Sequence, residues 1–234
     1  MESTNKFLSV SVNPIQMIHV LSDKPSAVSD YVAELRDVDL QKDRARFRWN
    51  LERIGMAIGM AISHELSFEV AAVQTPLGIA QCARMTEQPV LATILRAGIP
   101  MHQGMAEIFD RADQAFISAC RVYENEDHDS FNIAVDAVSA PKLTNRVLIL
   151  TDPMLATGAS LIQVLNSLEQ SHGNPSEIHI AAAIASQEGL NNVHQALPQG
   201  SHIWVGAVDE KLSSHGYIVP GLGDAGDLAF GPKR

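Results

Sequence analysis

An apolar run, one carboxylate and a turn of small residues precede a predicted helix in the segment Arg146-Val-Leu-Ile-Leu-Thr-Asp152-Pro-Met-Leu-Ala-Thr157-Gly158-Ala-Ser160. A helix start carries N–H groups without partners and the positive end of the helix dipole, so it favours an anion. Gly158 permits close backbone approach, Thr157 and Ser160 offer hydroxyl donors, and Asp152 can accept hydrogen bonds from sugar hydroxyls. The P-loop spacing is absent. The alternative is an ordinary strand-to-helix turn with Thr157 as N-cap.

A second candidate site lies in the segment Asp209–Asp227, which glycines at positions 216, 221, 223 and 226 and a proline at 220 interrupt. This composition predicts an irregular loop without helix or strand. Such a loop presents backbone N–H and C=O groups, which can read the edge of a planar base at little entropic cost. The alternative is a glycine-rich tail that packs or frays.

Two arginines are candidate anion ligands. Arg96 stands before Gly98, where the apolar run Ile94-Leu95 ends, and arginine grips phosphate through two parallel hydrogen bonds. Arg121 precedes the acidic stretch Glu124–Asp129. Either side chain alone could equally be a surface charge.

These strings resemble one family, the uracil phosphoribosyltransferases of the type I phosphoribosyltransferase fold. The segment Asp152–Ser160, here the anion loop, is similar to the loop that binds 5-phosphoribosyl-1-pyrophosphate (PRPP). The segment His215–Asp227, here the C-terminal loop, resembles the uracil-binding loop almost letter for letter. Leu95-Arg-Ala-Gly98 resembles the pyrophosphate loop, and the likeness extends from Ser22 to Arg234.

The resemblance implies a set of site residues. The residues implied to bind PRPP are Arg96, Arg121, Asp152, Pro153, Met154, Leu155, Ala156, Thr157, Gly158, Ala159, Ser160 and Asp224. Those implied to bind uracil are Ile218, Gly223, Asp224 and Ala225. Asp224 is also the nearest candidate for a catalytic carboxylate, although it could equally serve binding alone.

The chain departs from the family pattern at three places. Ala159 stands where relatives carry a second glycine, and Ile99-Pro100 replaces Leu-Gly, which removes one N–H. The residues after Arg121 fit the Tyr-Arg-Asp/Asn-x-Glu-Thr loop of relatives poorly.

The expected reaction joins uracil to PRPP and gives UMP and pyrophosphate, with Mg²⁺ bound through the phosphates of PRPP rather than by a protein site. Catalysis would then be mostly positioning and charge stabilisation. The resemblance leaves GTP open as an effector, and we expect a homo-oligomer, a dimer or a tetramer. Two alternatives stay open: a different base specificity, and a diverged, non-catalytic binding or regulatory paralogue.

The elements around these motifs predict an α/β fold with a mainly parallel central sheet flanked by helices. Two helices are expected between Ser26 and Leu66, broken near Asp37–Asp39, with a turn at Gln74–Gly78. Beyond them, strands are expected at 89–95, 115–122, 131–138, 146–150, 178–185 and 202–207, and helices at 101–109, 159–168 and 188–196. We divide the chain into an N-terminal extension, 1–21, and one domain, 22–234, with a helical lead-in at 22–78 and the base-binding loop within 208–234.

Composition narrows the classes of function. The formal net charge of −10 opposes general nucleic-acid binding, and no apolar run is long enough to span a membrane. A hydrophobic fraction of 46% can build a substantial core. The two cysteines, Cys82 and Cys120, are expected to be reduced thiols, and the absence of a signal pattern favours a cytoplasmic location.

Overall fold

The computed structural model describes residues 17–123 and 131–233. Its helices are α1 (Ala27–Arg36), α2 (Arg44–Ser63), α3 (Ile99–Ile108), α4 (Ala159–His172), α5 (Gln187–Ala196) and α6 (Ala225–Phe230), with 3-10 turns at Leu21–Asp23 and Leu40–Lys42. Its strands are β1 (Met17–Val20), β2 (Phe68–Thr75), β3 (Gly78–Met85), β4 (Val90–Leu95), β5 (Asp113–Tyr123), β6 (Phe131–Ser139), β7 (Val147–Thr151), β8 (Met154–Leu155), β9 (Glu177–Ser186), β10 (His202–Asp209), β11 (Lys211–Leu212) and β12 (Ile218–Val219).

The central sheet has the strand order β1-β10-β9-β7-β4-β5-β6, and the short strand β8 also pairs with β9. All of these pairs are parallel except β5–β6, which is an antiparallel hairpin. The middle strands are continuous apolar runs because helices cover both faces of a parallel sheet. The predicted fold class is confirmed.

Two apolar clusters fill the space on either side of the sheet. One contains the inward faces of α1, α2, α3 and α6, including Leu35, Leu51 and Met101. The other contains the inward faces of α4 and α5, including Leu165 and Val193. Burial on both faces fixes the register of the strands, and therefore fixes where their carboxyl ends lie.

The break between the two N-terminal helices was predicted correctly, and capping explains it. Asp37 ends α1, and its side chain accepts hydrogen bonds from the backbone N–H groups of Asp39 and Leu40 at 2.8 and 3.1 Å. Asp43 then caps α2 by accepting from Ala45 and Arg46. Aspartate at such positions satisfies donors that a helix end leaves open.

Strand β1 comes from the stretch that the sequence assigned to an N-terminal extension. It forms the edge of the central sheet by pairing in parallel with β10, with Ile18 opposite Ile203. The imidazole of His19 stacks on the indole of Trp204, with 3.7 Å between ring centroids. Pairing and stacking together attach these four residues to the main domain.

Two predictions about local structure need correction. The helical lead-in predicted at 22–78 is wrong in its last part, because α2 ends at Ser63 and β2 follows at Phe68. The turn at Gln74–Gly78 is present and joins β2 to β3 in a hairpin whose side chains are exposed or half-buried, so no buried face marked these strands in the sequence. The C-terminal segment, predicted to lack helix and strand, forms the β11–β12 pair and α6. The acidic loop 124–130 lies outside the described residues.

Candidate active site

A cleft of about 460 Å³ opens where the parallel strands β4, β5 and β7 end. Ligands in open α/β sheets bind at this edge, because the strand ends and the following helix starts converge there. The C-terminal loop closes the other side. The lining residues that the sequence had singled out are Arg96, Asp152, Met154, Ala156, Ser160, Ile218, Gly223, Asp224 and Ala225.

The anion loop contributes to the cleft through alternate residues. Asp152, Met154, Ala156 and Ser160 line it. The side chain of Leu155 is buried instead in the apolar core. The other four predicted members, Pro153, Thr157, Gly158 and Ala159, do not line the cleft, so their predicted contacts with PRPP stay predictions.

Pro153 and Gly158 are positions where the backbone of the anion loop is fixed. The carbonyl of Pro153 accepts hydrogen bonds from the N–H groups of Ala183 and Ile184, both at 3.1 Å. Gly158 has φ +81°, and a Cβ there would lie 2.6 Å from Val193 Cγ2. A glycine is therefore required at the turn into α4.

The helix start behaves differently from the alternative that made Thr157 the N-cap. Gly158 holds the N-cap position, and Thr157 Oγ1 accepts a hydrogen bond from the N–H of Ala159 at 3.3 Å. Ala159 is the first residue of α4 and has helical geometry. The methyl group that distinguishes it from the glycine of relatives is exposed and causes no strain.

Arg96 lies in the tight turn between β4 and α3. Its Nη2 donates to the carbonyl of Gly231 at 3.0 Å and to Asp227 Oδ1 at 3.2 Å. Its buried Nε has no hydrogen-bond partner among the described residues. Pro100 is buried in the first turn of α3, where a missing N–H costs no hydrogen bond within the helix.

Arg121 lies on β5, with its backbone opposite Ile133 of β6. Its side chain is outside the described residues, so its predicted contact with PRPP stays a prediction. The two residues before it, Ala119 and Cys120, line the cleft.

The C-terminal loop presents apolar side chains and bare backbone to the same cleft. Ile218 and Ala225 are buried in its wall, and Gly223, at φ +94°, is exposed there. Gly221, at φ +60°, has no room for a Cβ, which would lie 2.1 Å from the carbonyl oxygen of Ile218. Positive φ at both positions suits glycine alone.

Asp224 has a structural role that the sequence did not reveal. It is the N-cap of α6, and its Oδ1 accepts a hydrogen bond from the N–H of Asp227 at 2.9 Å. The side chain is nevertheless exposed in the cleft. The capping role shown here is therefore to be separated from the ligand binding and the chemistry that the sequence predicts for the same carboxylate.

An ion pair between Arg36 and Asp209 anchors the C-terminal loop. The guanidinium donates to both oxygens of Asp209, at 2.8 and 2.9 Å, and to the carbonyl of Gly221 at 3.2 Å. Asp209 Oδ2 also accepts from the N–H of Gly221 at 3.1 Å. Because Arg36 and Asp209 are 173 positions apart, no local sequence signal could have found this anchor.

Lys233 and Cys120 are among the cleft residues that were missed. Lys233 adds a cation near the end of the chain, and no ion pair joins it to another described residue. Cys120 donates a hydrogen bond to Asp136 at 3.4 Å, which raises the pKa of the thiol above its usual range, while Lys233 acts in the opposite direction. Cys120 is thus a neutral thiol at neutral pH, and both cysteines are free thiols.

The arrangement suits a ligand with an anion at one end and a planar polar group at the other. A helix start and hydroxyl groups offer donors on one side, two cations lie nearby, and the glycine backbone of the C-terminal loop faces them. Among the described residues, no group of three or more His, Cys, Asp or Glu side chains could hold a metal ion by itself. Within the same residues, no helix is both long enough and apolar enough to cross a bilayer.

Comparison with known sequences gives one family. The family model of uracil phosphoribosyltransferase matches residues 21–232. The chain is 45% identical over 219 residues to a uracil phosphoribosyltransferase of Porphyromonas gingivalis, covering 94% of this chain and 100% of that protein. It is 38% identical over 191 residues to one from Methanothermobacter thermautotrophicus, covering 81% of this chain and 85% of that protein.

Comparison with solved structures supports the same architecture. A protein from Aquifex aeolicus superposes with a TM-score of 0.81 at 28% sequence identity. The superposition covers 92% of this chain and 98% of that one. The sheet and the helices that surround the cleft are therefore shared across nearly the whole length.

Proposed function

The chain belongs to the uracil phosphoribosyltransferase family, and we propose that it transfers the 5-phosphoribosyl group of PRPP to N1 of uracil, giving UMP and pyrophosphate. The observation that carries the proposal is the convergence in one cleft of the anion loop, Arg96 and the C-terminal loop. Each of these segments suits one part of the two substrates: the 5′-phosphate, the pyrophosphate and the base.

The 5′-phosphate would bind at the start of α4. The N–H groups of the anion loop and the hydroxyl of Ser160 supply donors there, and the dipole of a 14-residue helix adds partial positive charge. Asp152, at the end of β7, would accept hydrogen bonds from the ribose hydroxyls. These contacts would hold the sugar still while its anomeric carbon reacts.

The pyrophosphate would bind on the opposite side of the ribose, next to Arg96. The buried Nε of Arg96 is a donor without a partner among the described residues, and Lys233 supplies a second positive charge. As the C1–O bond of PRPP breaks, negative charge accumulates on this leaving group. Fixed cations lower the barrier most where charge develops in the transition state.

Mg²⁺ is proposed as the metal that accompanies PRPP. It prefers oxygen ligands and keeps several waters, so phosphate oxygens with one or two carboxylates suit it. Asp152 and Asp224 are the carboxylates that line the cleft and would hold it there. When bound, the ion would neutralise charge on the pyrophosphate.

Uracil would lie against Ile218 and Ala225, with its polar edge on the backbone of the C-terminal loop. N1 would attack the anomeric carbon from the face opposite the pyrophosphate and lose its proton. Asp224 is the candidate to accept that proton or to stabilise positive charge on the ribose. Backbone groups arranged for the O4 acceptor of uracil would meet the amino group of cytosine.

The test is turnover of purified protein with uracil, PRPP and Mg²⁺, followed by UMP formation. Cytosine should react more slowly by about 10²-fold or more, since unpaired buried polar groups cost several kcal/mol. Hypoxanthine should also give far less product. Equal rates with cytosine would refute the base assignment, and binding of PRPP without turnover would favour the non-catalytic alternative.

Two statements about the protein stay predictions, assembly into a dimer or tetramer and a cytoplasmic location, and GTP stays open as an effector. Ala159 and Pro100, where the chain departs from the family pattern, fit their helix starts without strain, which supports the proposal. The departure after Arg121 falls partly on residues 124–130, outside the described chain.

A further inference from the structure

The carbonyl groups of the anion loop are held by the helix that follows β9. Ser186, the fully buried N-cap of α5, donates from its Oγ to the carbonyl of Ala156 at 2.5 Å. The same Oγ accepts a hydrogen bond from the N–H of Gly189 at 2.8 Å. One hydroxyl therefore caps α5 and fixes a peptide of the anion loop at the same time.

The next peptide of the loop is held in the same way from the exposed side of α5. Asn192 Nδ2 donates to the carbonyl of Thr157 at 3.0 Å. The start of α5 and the anion loop are packed closely, because a Cβ on Gly189 would lie 2.2 Å from the carbonyl oxygen of Ala156. Val193 of α5 also packs closely against Gly158, because a Cβ on Gly158 would lie 2.6 Å from Val193 Cγ2.

These contacts fix the direction of the loop's donors. In a trans peptide, the carbonyl of one residue and the N–H of the next point in opposite directions. Holding the carbonyls of Ala156 and Thr157 towards α5 turns the N–H groups of Thr157 and Gly158 away from it. Thr157 and Gly158 do not themselves line the cleft, but Ala156 and Ser160 on either side of them do and no residue of α5 does, so we infer that these N–H groups are turned towards the cleft.

We propose that Ser186 and Asn192 are positioning residues for PRPP, which hold the anion loop in the conformation that aims its backbone N–H groups at the 5′-phosphate. The proposal rests on the proposed function. Neither side chain touches the substrate. Each acts by orienting a peptide whose donor does, and without them the loop could turn a carbonyl towards the phosphate.

Two adjacent asparagines make a matched test. Asn191 and Asn192 are both exposed on α5, but among the described residues the Asn191 side chain is hydrogen-bonded only to Gln187 of the same helix, at 3.3 Å. Asn192→Ala should raise the KM for PRPP about 3- to 10-fold, the effect of one lost neutral hydrogen bond. The KM for uracil and the melting temperature should stay near wild-type values, and Asn191→Ala should leave all three quantities unchanged.

A second pair of variants separates the hydrogen bond from the side chain's size. Asn192→Asp keeps the shape but cannot donate to the Thr157 carbonyl, whereas Asn191→Asp adds the same charge one position away. The KM for PRPP should rise further in Asn192→Asp than in Asn191→Asp. Equal values within both pairs would overturn the proposal, and a fall in melting temperature without a change in KM would assign Asn192 a merely structural role.

Failure of the proposed function gives a different result. Wild-type protein that neither turns over PRPP nor binds it in calorimetry would remove both the function and this inference. Wild-type protein with normal turnover and indistinguishable asparagine variants would remove the inference alone. Weaker calorimetric binding of ribose 5-phosphate to Asn192→Ala, with wild-type binding by Asn191→Ala, would support it independently of turnover.

Discussion

The anion loop and the C-terminal loop meet in one cleft, but different contacts hold them. The anion loop is fixed by neutral hydrogen bonds from Ser186 and Asn192, the N-cap and a residue of α5. The C-terminal loop is fixed by an ion pair with Arg36, from the other end of the chain, and by its own glycines. On the proposed function, phosphate binding would therefore depend on hydrogen bonds from α5, whereas base binding would depend on an ion pair with α1.

The largest expected effect comes from breaking the distant anchor. Arg36→Met leaves the Asp209 side chain, only 8% exposed, without its cation. Removing one partner of a buried pair costs about 3–5 kcal/mol, and we expect about 2–3 kcal/mol of unfolding free energy because Arg36 is 23% exposed. Denaturant titration measures this loss of unfolding free energy. Steady-state kinetics should show that the KM for uracil rises more than the KM for PRPP.

The matched control is Arg46→Met, which breaks the pair between Arg46 and Glu34 at the surface. Its melting temperature and both KM values should stay close to those of the wild type. If Arg36→Met raised the two KM values equally, the ion pair would serve the whole fold and not the C-terminal loop.

Arg96 joins the two regions, since it lies in the cleft and also contacts Asp227 and Gly231. Arg96→Ala should lower kcat/KM for PRPP about 10- to 100-fold through loss of a charge-assisted contact with phosphate. Asp227→Asn removes the ion-pair partner but no phosphate ligand, so its effect should be small. Equal losses in the two variants would mean that Arg96 acts by holding the chain end.

Glycine variants compare the two loops at their turns. Gly158→Ala should raise the KM for PRPP, and Gly221→Ala should raise the KM for uracil. Each variant should also lose about 1–2 kcal/mol of unfolding free energy, because alanine disfavours left-handed backbone. Gly221→Ala should be the more severe, because its Cβ would lie 2.1 Å from a backbone carbonyl oxygen, whereas that of Gly158 would lie 2.6 Å from a methyl group of Val193.

Gly200 provides the control for the energetic cost of placing alanine in left-handed backbone. It has φ +87° and open space around its Cβ position. Gly200→Ala should therefore lower the melting temperature slightly and leave both KM values unchanged. A change in KM for this variant would show that kinetic constants respond to stability alone.

The smallest effect is expected at Asp224, where the cap must be kept while the charge is removed. Asparagine is as good an N-cap as aspartate, so Asp224→Asn should melt like the wild type. A role for the charge predicts a fall in kcat of about 3- to 10-fold with little change in KM. A rise in KM at constant kcat would assign Asp224 to binding, and wild-type values of both would remove it from the site.

The sequence predicted the sheet and the cleft-lining segments because the central strands are apolar runs and the two motifs are local. It missed β2 and β3, which bury no face, and α6, whose start depends on Asp224 capping a turn between glycines. It also missed Lys233, a single residue without a pattern. The contacts that hold the two loops could not be predicted either, because Arg36, Ser186 and Asn192 form hydrogen bonds with residues 30 or more positions away.

The pairing of β1 with β10 has a consequence for shortened versions of the protein. The family match begins at residue 21, so a truncation designed from it would delete all of β1. The outer edge of β10 would then present unpaired N–H and C=O groups, with Trp204 stripped of the imidazole that covers it. Such an edge recruits strands from other molecules, and the shortened protein should therefore aggregate during expression while its cleft remains intact.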